Sequence, residues 1–225
     1  MKKNFYTWLL ILLPGLAVAQ DNESKSPSTY QYIAVHLGAG FPVGDFSSNS
    51  TRNEEAGFAK TGFTVGVQYV YKLGKNLGVG ASGFYNFFNA SKSVSVPDNG
   101  GTLSVSLDHW QYFGMAIGPT VTLDLDDQVS MDLRAMAGVA SANAPRVKYQ
   151  GAALLKEDWS TTPVLQGGAS LRVNTNNSRI YIFANADFTY LNPDFTITTY
   201  DDSYTQKVKQ RMSVLNLTGG VGFRL

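Results

Sequence analysis

The feature that most constrains this chain is its last stretch, Val214 to Leu225, which reads VLNLTGGVGFRL. Leu215, Leu217, Gly219, Val221, Phe223 and Leu225 alternate with Asn216, Thr218, Gly220, Gly222 and Arg224. A period of two with one apolar and one polar face specifies a strand, not a helix. The sequence ends on that strand. A terminal strand has to pair along both edges or leave an open row of N–H and C=O groups, unless the sheet closes on itself.

The same alternation runs through the rest of the chain. Seven further runs of about 10–14 residues show it. Apolar positions on one face are Ile33 to Phe41, Phe63 to Leu73, Leu77 to Phe87, Phe113 to Leu123, Val129 to Val139, Leu165 to Val173 and Ile180 to Tyr190. The opposite faces carry polar residues and the glycines Gly38, Gly40, Gly66, Gly78, Gly80 and Gly168. Pro119 is expected to interrupt the fourth run. Tight turns fall near residues 75, 126 and 176, and long polar segments centre near 50, 100, 150 and 200. Leu103, Val105 and Leu107 alternate enough to carry a strand into the second long segment. This pattern predicts an all-β fold: one closed, antiparallel, up-and-down barrel of eight strands, with short turns at one end and four long loops at the other.

Composition fits a barrel in lipid. Charged residues make up 16% of the chain, against about 25% in soluble domains, while aromatics reach 12% and there are 22 glycines. No cysteine is present, which excludes disulfides, thiolate metal sites and thiol nucleophiles. A formal charge of +1 gives no sign of nucleic-acid binding. At the N-terminus, Lys2 and Lys3, an apolar run from Trp8 to Leu13 and the Ala17-Val18-Ala19 site form a secretory signal peptide over residues 1–19. Its apolar run is too short for a spanning helix. Residues 20–29 read as a flexible periplasmic lead-in, and 30–225 as the barrel.

The closing strand, the eight alternating runs and the asymmetry of turns and loops resemble the small bacterial outer-membrane β-barrels of the OmpA/OmpX type. Val221, Phe223 and Leu225 are similar to the terminal signal of that family, which usually ends in Phe. The resemblance implies a transmembrane barrel in the cell outer membrane of a Gram-negative bacterium. It implies periplasmic turns and extracellular loops, contact with outer-membrane lipid and lipopolysaccharide, and insertion by the barrel-insertion machinery. A monomer is expected.

Inward parity collects Lys72, Asp132, Arg134, Arg172, Asp187 and Arg224 in the lumen. They read either as a selectivity gate or as a paired plug; at eight strands the interior is just filled by side chains, which favours the plug. His36 is expected to face the lumen and His109 the lipid rim. Lipid A deacylases of this architecture carry a Ser two residues after the His. Gly38 and Gln111 stand there instead, so no catalytic residue is assigned and the chain reads as a non-enzyme. No cofactor or metal motif is present; acidic pairs such as Glu54-Glu55 and Asp201-Asp202 read as solvated loop residues or as places for a bridging cation. Tyr32, Tyr69, Tyr71 and Phe223 are expected in the periplasmic aromatic girdle. Phe41, Phe63, Phe87, Phe188 and Tyr190 belong in the extracellular one, with Trp110 and Tyr112 turned inward. The function expected is a structural, adhesin-like or ligand-interaction role through the loops. A small passive porin is the alternative, and a lipid A-modifying enzyme is third.

Overall fold

A computed structural model describes residues 31–225, apart from 51, 54, 91–93, 99–100, 150–151, 154–157, 176–178 and 200–203. The leader with Ala17 and Ala19, the lead-in, Glu54 and the Asp201-Asp202 pair lie outside the described residues. Eight long strands form the barrel: β1 (Gln31–Val43), β2 (Ala59–Lys72), β3 (Leu77–Ala90), β6 (His109–Asp124), β7 (Val129–Asn143), β10 (Trp159–Asn174), β11 (Ile180–Leu191) and β14 (Met212–Arg224). Shorter strands occupy three of the long connections: β4 (Val94–Asp98), β5 (Gly101–Leu107), β8 (Val147–Tyr149), β9 (Ala152–Ala153), β12 (Asp194–Thr198) and β13 (Thr205–Lys209). The first connection has a 3-10 turn at Gly44–Ser47.

The barrel closes in the order β1-β14-β11-β10-β7-β6-β3-β2, every neighbour antiparallel. The seam is β1 on β14, registered from Tyr32 against Arg224 to Val43 against Ser213. Closure leaves no edge among these strands. That is what hydrocarbon demands, because an unpaired backbone group there costs several kcal/mol. Glycines on the inward face let wide rings cross the narrow interior: a side chain at Gly222 would collide with the Tyr181 ring, and one at Gly220 with Phe183.

The outward face carries Ile33, Val35, Leu37, Val65, Val67, Met115, Ile117, Leu165, Leu171 and Leu217, all exposed. Lys72, Asp132, Arg134, Arg172, Asp187 and Asn216 are buried inside. A soluble barrel has the opposite arrangement. An exterior of this kind is stable only against lipid tails, where apolar side chains remain out of water.

Two expectations need correction. Pro119 does not interrupt its strand: β6 runs through it, paired with Val79 on β3. Only the pairing to β7 lapses, between Ile117 and Thr120, and it resumes in the same register. Proline lacks an N–H, so it is tolerated where the ladder already has a gap. Tyr32 is not a girdle residue. It is 2% exposed and points into the lumen, as its parity requires.

Candidate functional site

The lumen is built in layers. Near the short-turn end, Asp132 on β7 pairs with Arg172 on β10 at 3.1 Å. The Tyr32 hydroxyl donates to Asp132 Oδ2 at 2.8 Å and the Thr122 hydroxyl to Oδ1 at 2.6 Å. The Arg172 guanidinium also lies over the Tyr32 ring, 4.9 Å from its centre, and over Tyr181 at 5.4 Å. Two aromatic faces and one carboxylate thus surround a cation withdrawn from water. That is how a buried charge is made tolerable.

A second pair lies beside the first. Arg134 on β7 grips Asp187 on β11, its Nη2 donating to both carboxylate oxygens at 2.6 Å and its Nε to Oδ1 at 2.9 Å. Arg134 also donates to the Ser170 hydroxyl. Ser82 on β3 reaches across to Gln166 on β10 at 2.8 Å. Of the six lumen ionisable groups expected from sequence, four form these two pairs. Lys72 donates instead to the Lys75 carbonyl at 3.4 Å, and Arg224 to the Asn174 side chain at 2.7 Å. The cavity beside Tyr32, Gln68 and Arg172 measures about 10 Å³, room for about one water centre.

The long-loop end is closed by apolar packing. Phe88, Trp110 and Tyr112 from the barrel meet Phe46 from the first connection and Phe195 from β12. Phe46 packs edge-on against Phe88 and Trp110, each at 5.6 Å. Phe195 lies 5.9 Å from Trp110. The Trp110 indole N–H donates to the Gly57 carbonyl at 2.7 Å. Sequence parity turned Trp110 and Tyr112 inward, but it missed Phe46 and Phe195, which sit in polar segments.

The connections above this cap are stitched to one another in series. Second and third form one sheet, β4-β5-β8-β9, braced by Lys148 to Asp108 at 2.9 Å. Third and fourth meet where the Thr196 N–H donates to Asp158 at 2.5 Å and the Asp194 N–H to Ser160 at 3.1 Å. Fourth and first meet through Arg211 with Glu55, and through Gln210 donating to the Glu55 carbonyl at 2.9 Å. The two histidines are held apart from one another: His36 packs against Phe183 in the lumen, and His109 stacks on Phe87 at 4.7 Å.

No family model matches the sequence, and no curated protein matches it. Solved structures match the shape. A major outer-membrane protein from Thermus thermophilus superposes with a TM-score of 0.54 at 13% identity, over 87% of this chain and 99% of that one. The protein has the fold of an outer-membrane β-barrel. Ail of Yersinia pestis and the neisserial surface protein NspA are also similar, each with a TM-score of 0.46 at 15% identity, over 88% of this chain and 99% of theirs.

An outer-membrane barrel of this kind sits in the cell outer membrane with its apolar belt in lipid. Its short turns lie at one end of the barrel and its long connections at the other. In the closing strand, Val221, Phe223 and Leu225 are exposed on the lipid-facing side and Arg224 is turned inward to Asn174. Phe223→Asp places a carboxylate in the lipid rim and removes a ring whose burial is worth ~2 kcal/mol. It should lower the yield of inserted, heat-modifiable barrel several-fold. Arg224→Gln keeps a donor for Asn174 and should stay within about 0.5 kcal/mol of the parent. The reverse order in that gel assay would mean the facing of β14 is misassigned.

Proposed function

We propose that this outer-membrane barrel is a non-conducting, non-enzymatic anchor that presents its four extracellular loops as one ordered binding surface, with an adhesin-like or ligand-interaction role. The observation that carries the reading is the contrast between a filled lumen and a built exterior. Two buried ion pairs and an aromatic cap occupy the axis along which a pore would run. Outside, the loops hold β-sheets and are tied second to third, third to fourth and fourth to first. Loops without a function to hold in place are usually mobile, whereas binding loops are placed by a rigid scaffold.

The test separates lumen from loops. In a strain lacking the gene product, a variant with residues 194–209 replaced by a two-residue turn should insert normally yet fail to restore the lost surface phenotype. A Ser82→Ala variant, altered only at its lumen bond to Gln166, should restore it. In planar bilayers the purified protein should give no stable unitary openings. Reproducible openings, or full restoration by the loop-trimmed variant, would replace this reading with that of a small passive porin.

A further inference from the structure

The first extracellular loop, residues 44–58, is built as a separate unit. Gly44, with φ of 63°, and Phe58, with φ of 53°, are the two left-handed residues among those described, and they bracket it. Left-handed backbone at a non-glycine residue is strained and persists where surrounding contacts hold it. The ends of the segment are tied together: Gly57 N–H donates to the Asp45 carbonyl at 2.9 Å and Phe58 N–H to the Ser48 carbonyl at 3.0 Å. The loop is therefore compact by its own bonds.

Besides the Gln210 amide on the Glu55 carbonyl at 2.9 Å, two contacts of different character hold it on the barrel. One is the fully buried Phe46 ring between Phe88 and Trp110, with Trp110 bonded to the Gly57 carbonyl. A side chain at Gly57 would collide with Phe46, so the small residue lets the ring fold beneath its own loop. The other is a latch of exposed charge. Arg211, at the foot of β14, pairs with Glu55 and lies 3.9 Å from Asp45; its side chain is 52% exposed. Exposed pairs are weak and are screened by salt.

We propose that residues 44–58 form a releasable stopper, hinged at Gly44 and Phe58, anchored by Phe46 and latched by Arg211. Release lifts Phe46 away from Phe88, Trp110, Tyr112 and Phe195 and uncovers those rings to the exterior. The ion pairs beneath stay in place, so the surface offered to the exterior changes and the permeability of the barrel does not. Nothing in this depends on what the loops bind.

Arg52 lies in the stopper and is exposed, which makes it a built-in reporter. Trypsin needs an extended strand, so the rate of cutting after Arg52 follows the released population. In the barrel reconstituted into lipid nanodiscs, Arg211→Gln should speed that cut roughly threefold, the scale of an exposed ion pair. Arg211→Lys should restore the parent rate, and Phe46→Ala should speed the cut by roughly tenfold or more, since it removes a buried ring. Raising salt to 1 M should bring the parent up to the Arg211→Gln rate and leave that variant unchanged. Cuts after Arg134 and Arg172, within the strands, should stay absent throughout. The proposal fails if either Arg211→Gln or Phe46→Ala leaves the Arg52 cut unchanged, if salt acts equally on both proteins, or if strand cuts rise in step with it.

Discussion

Asp132→Ala should be the most damaging polar substitution in the barrel, costing about 3–5 kcal/mol of stability. The carboxylate it removes is 2% exposed and serves three partners: Arg172, Tyr32 and Thr122. Without it the Arg172 guanidinium, buried among the Tyr32 and Tyr181 rings, loses the carboxylate 3.1 Å away, and the loss of that counter-charge dominates the cost. The pair itself adds little over an apolar substitute, because both charges had to leave water. The double variant Asp132→Leu with Arg172→Met should therefore be more stable than Asp132→Ala alone. Urea titration of tryptophan fluorescence in lipid vesicles measures both. Bilayer recordings of Asp132→Ala should remain silent, because Arg134 with Asp187 and the cap around Phe46 still close the axis. An open-channel current in that variant would turn the pair into a gate.

Much of this fold was legible because facing in a strand alternates strictly. A one-residue count assigns every side chain to lipid or lumen. That count put Asp132, Arg134, Arg172 and Asp187 inside, and it put Val221 and Phe223 outside. It could not say which charges meet. Partners across a barrel depend on how far successive strands are staggered, a global quantity that no single strand records. Tyr32 shows the count overruled: an aromatic near a strand end reads as a girdle residue, although its parity was inward. Phe46 and Phe195 were invisible for another reason. They lie in polar segments with no long period, and their burial comes from loops folding back over the mouth. A lone aromatic in a polar loop was the available signal. The hairpin β12–β13 was missed similarly, its alternation of Phe195 and Ile197 being too brief to stand out.

Gly38→Val should abolish barrel closure. Gly38 sits mid-seam, opposite Thr218 on β14. A Cβ there would fall within the shell of the Leu217 carbonyl oxygen and 2.7 Å from Thr218 Cα. Both obstacles are backbone, so no rotamer change relieves the clash and the strands must separate. Overpacking usually costs about 1–3 kcal/mol where side chains can shift; here the strain falls on the ladder that joins first strand to last, so the cost lies at or above that range. A seam that opens exposes two rows of backbone groups to hydrocarbon, which multiplies the penalty. The heat-modifiable gel form should fall at least about tenfold, which corresponds to ~1.4 kcal/mol. Gly167 supplies the contrast. It lies outside the seam, and the nearest atom to an added Cβ is 3.8 Å away. Gly167→Ala should fold like the parent. If both variants fold equally well, close backbone approach at Gly38 does not govern closure, and the seam is held by the apolar rows on either side of it.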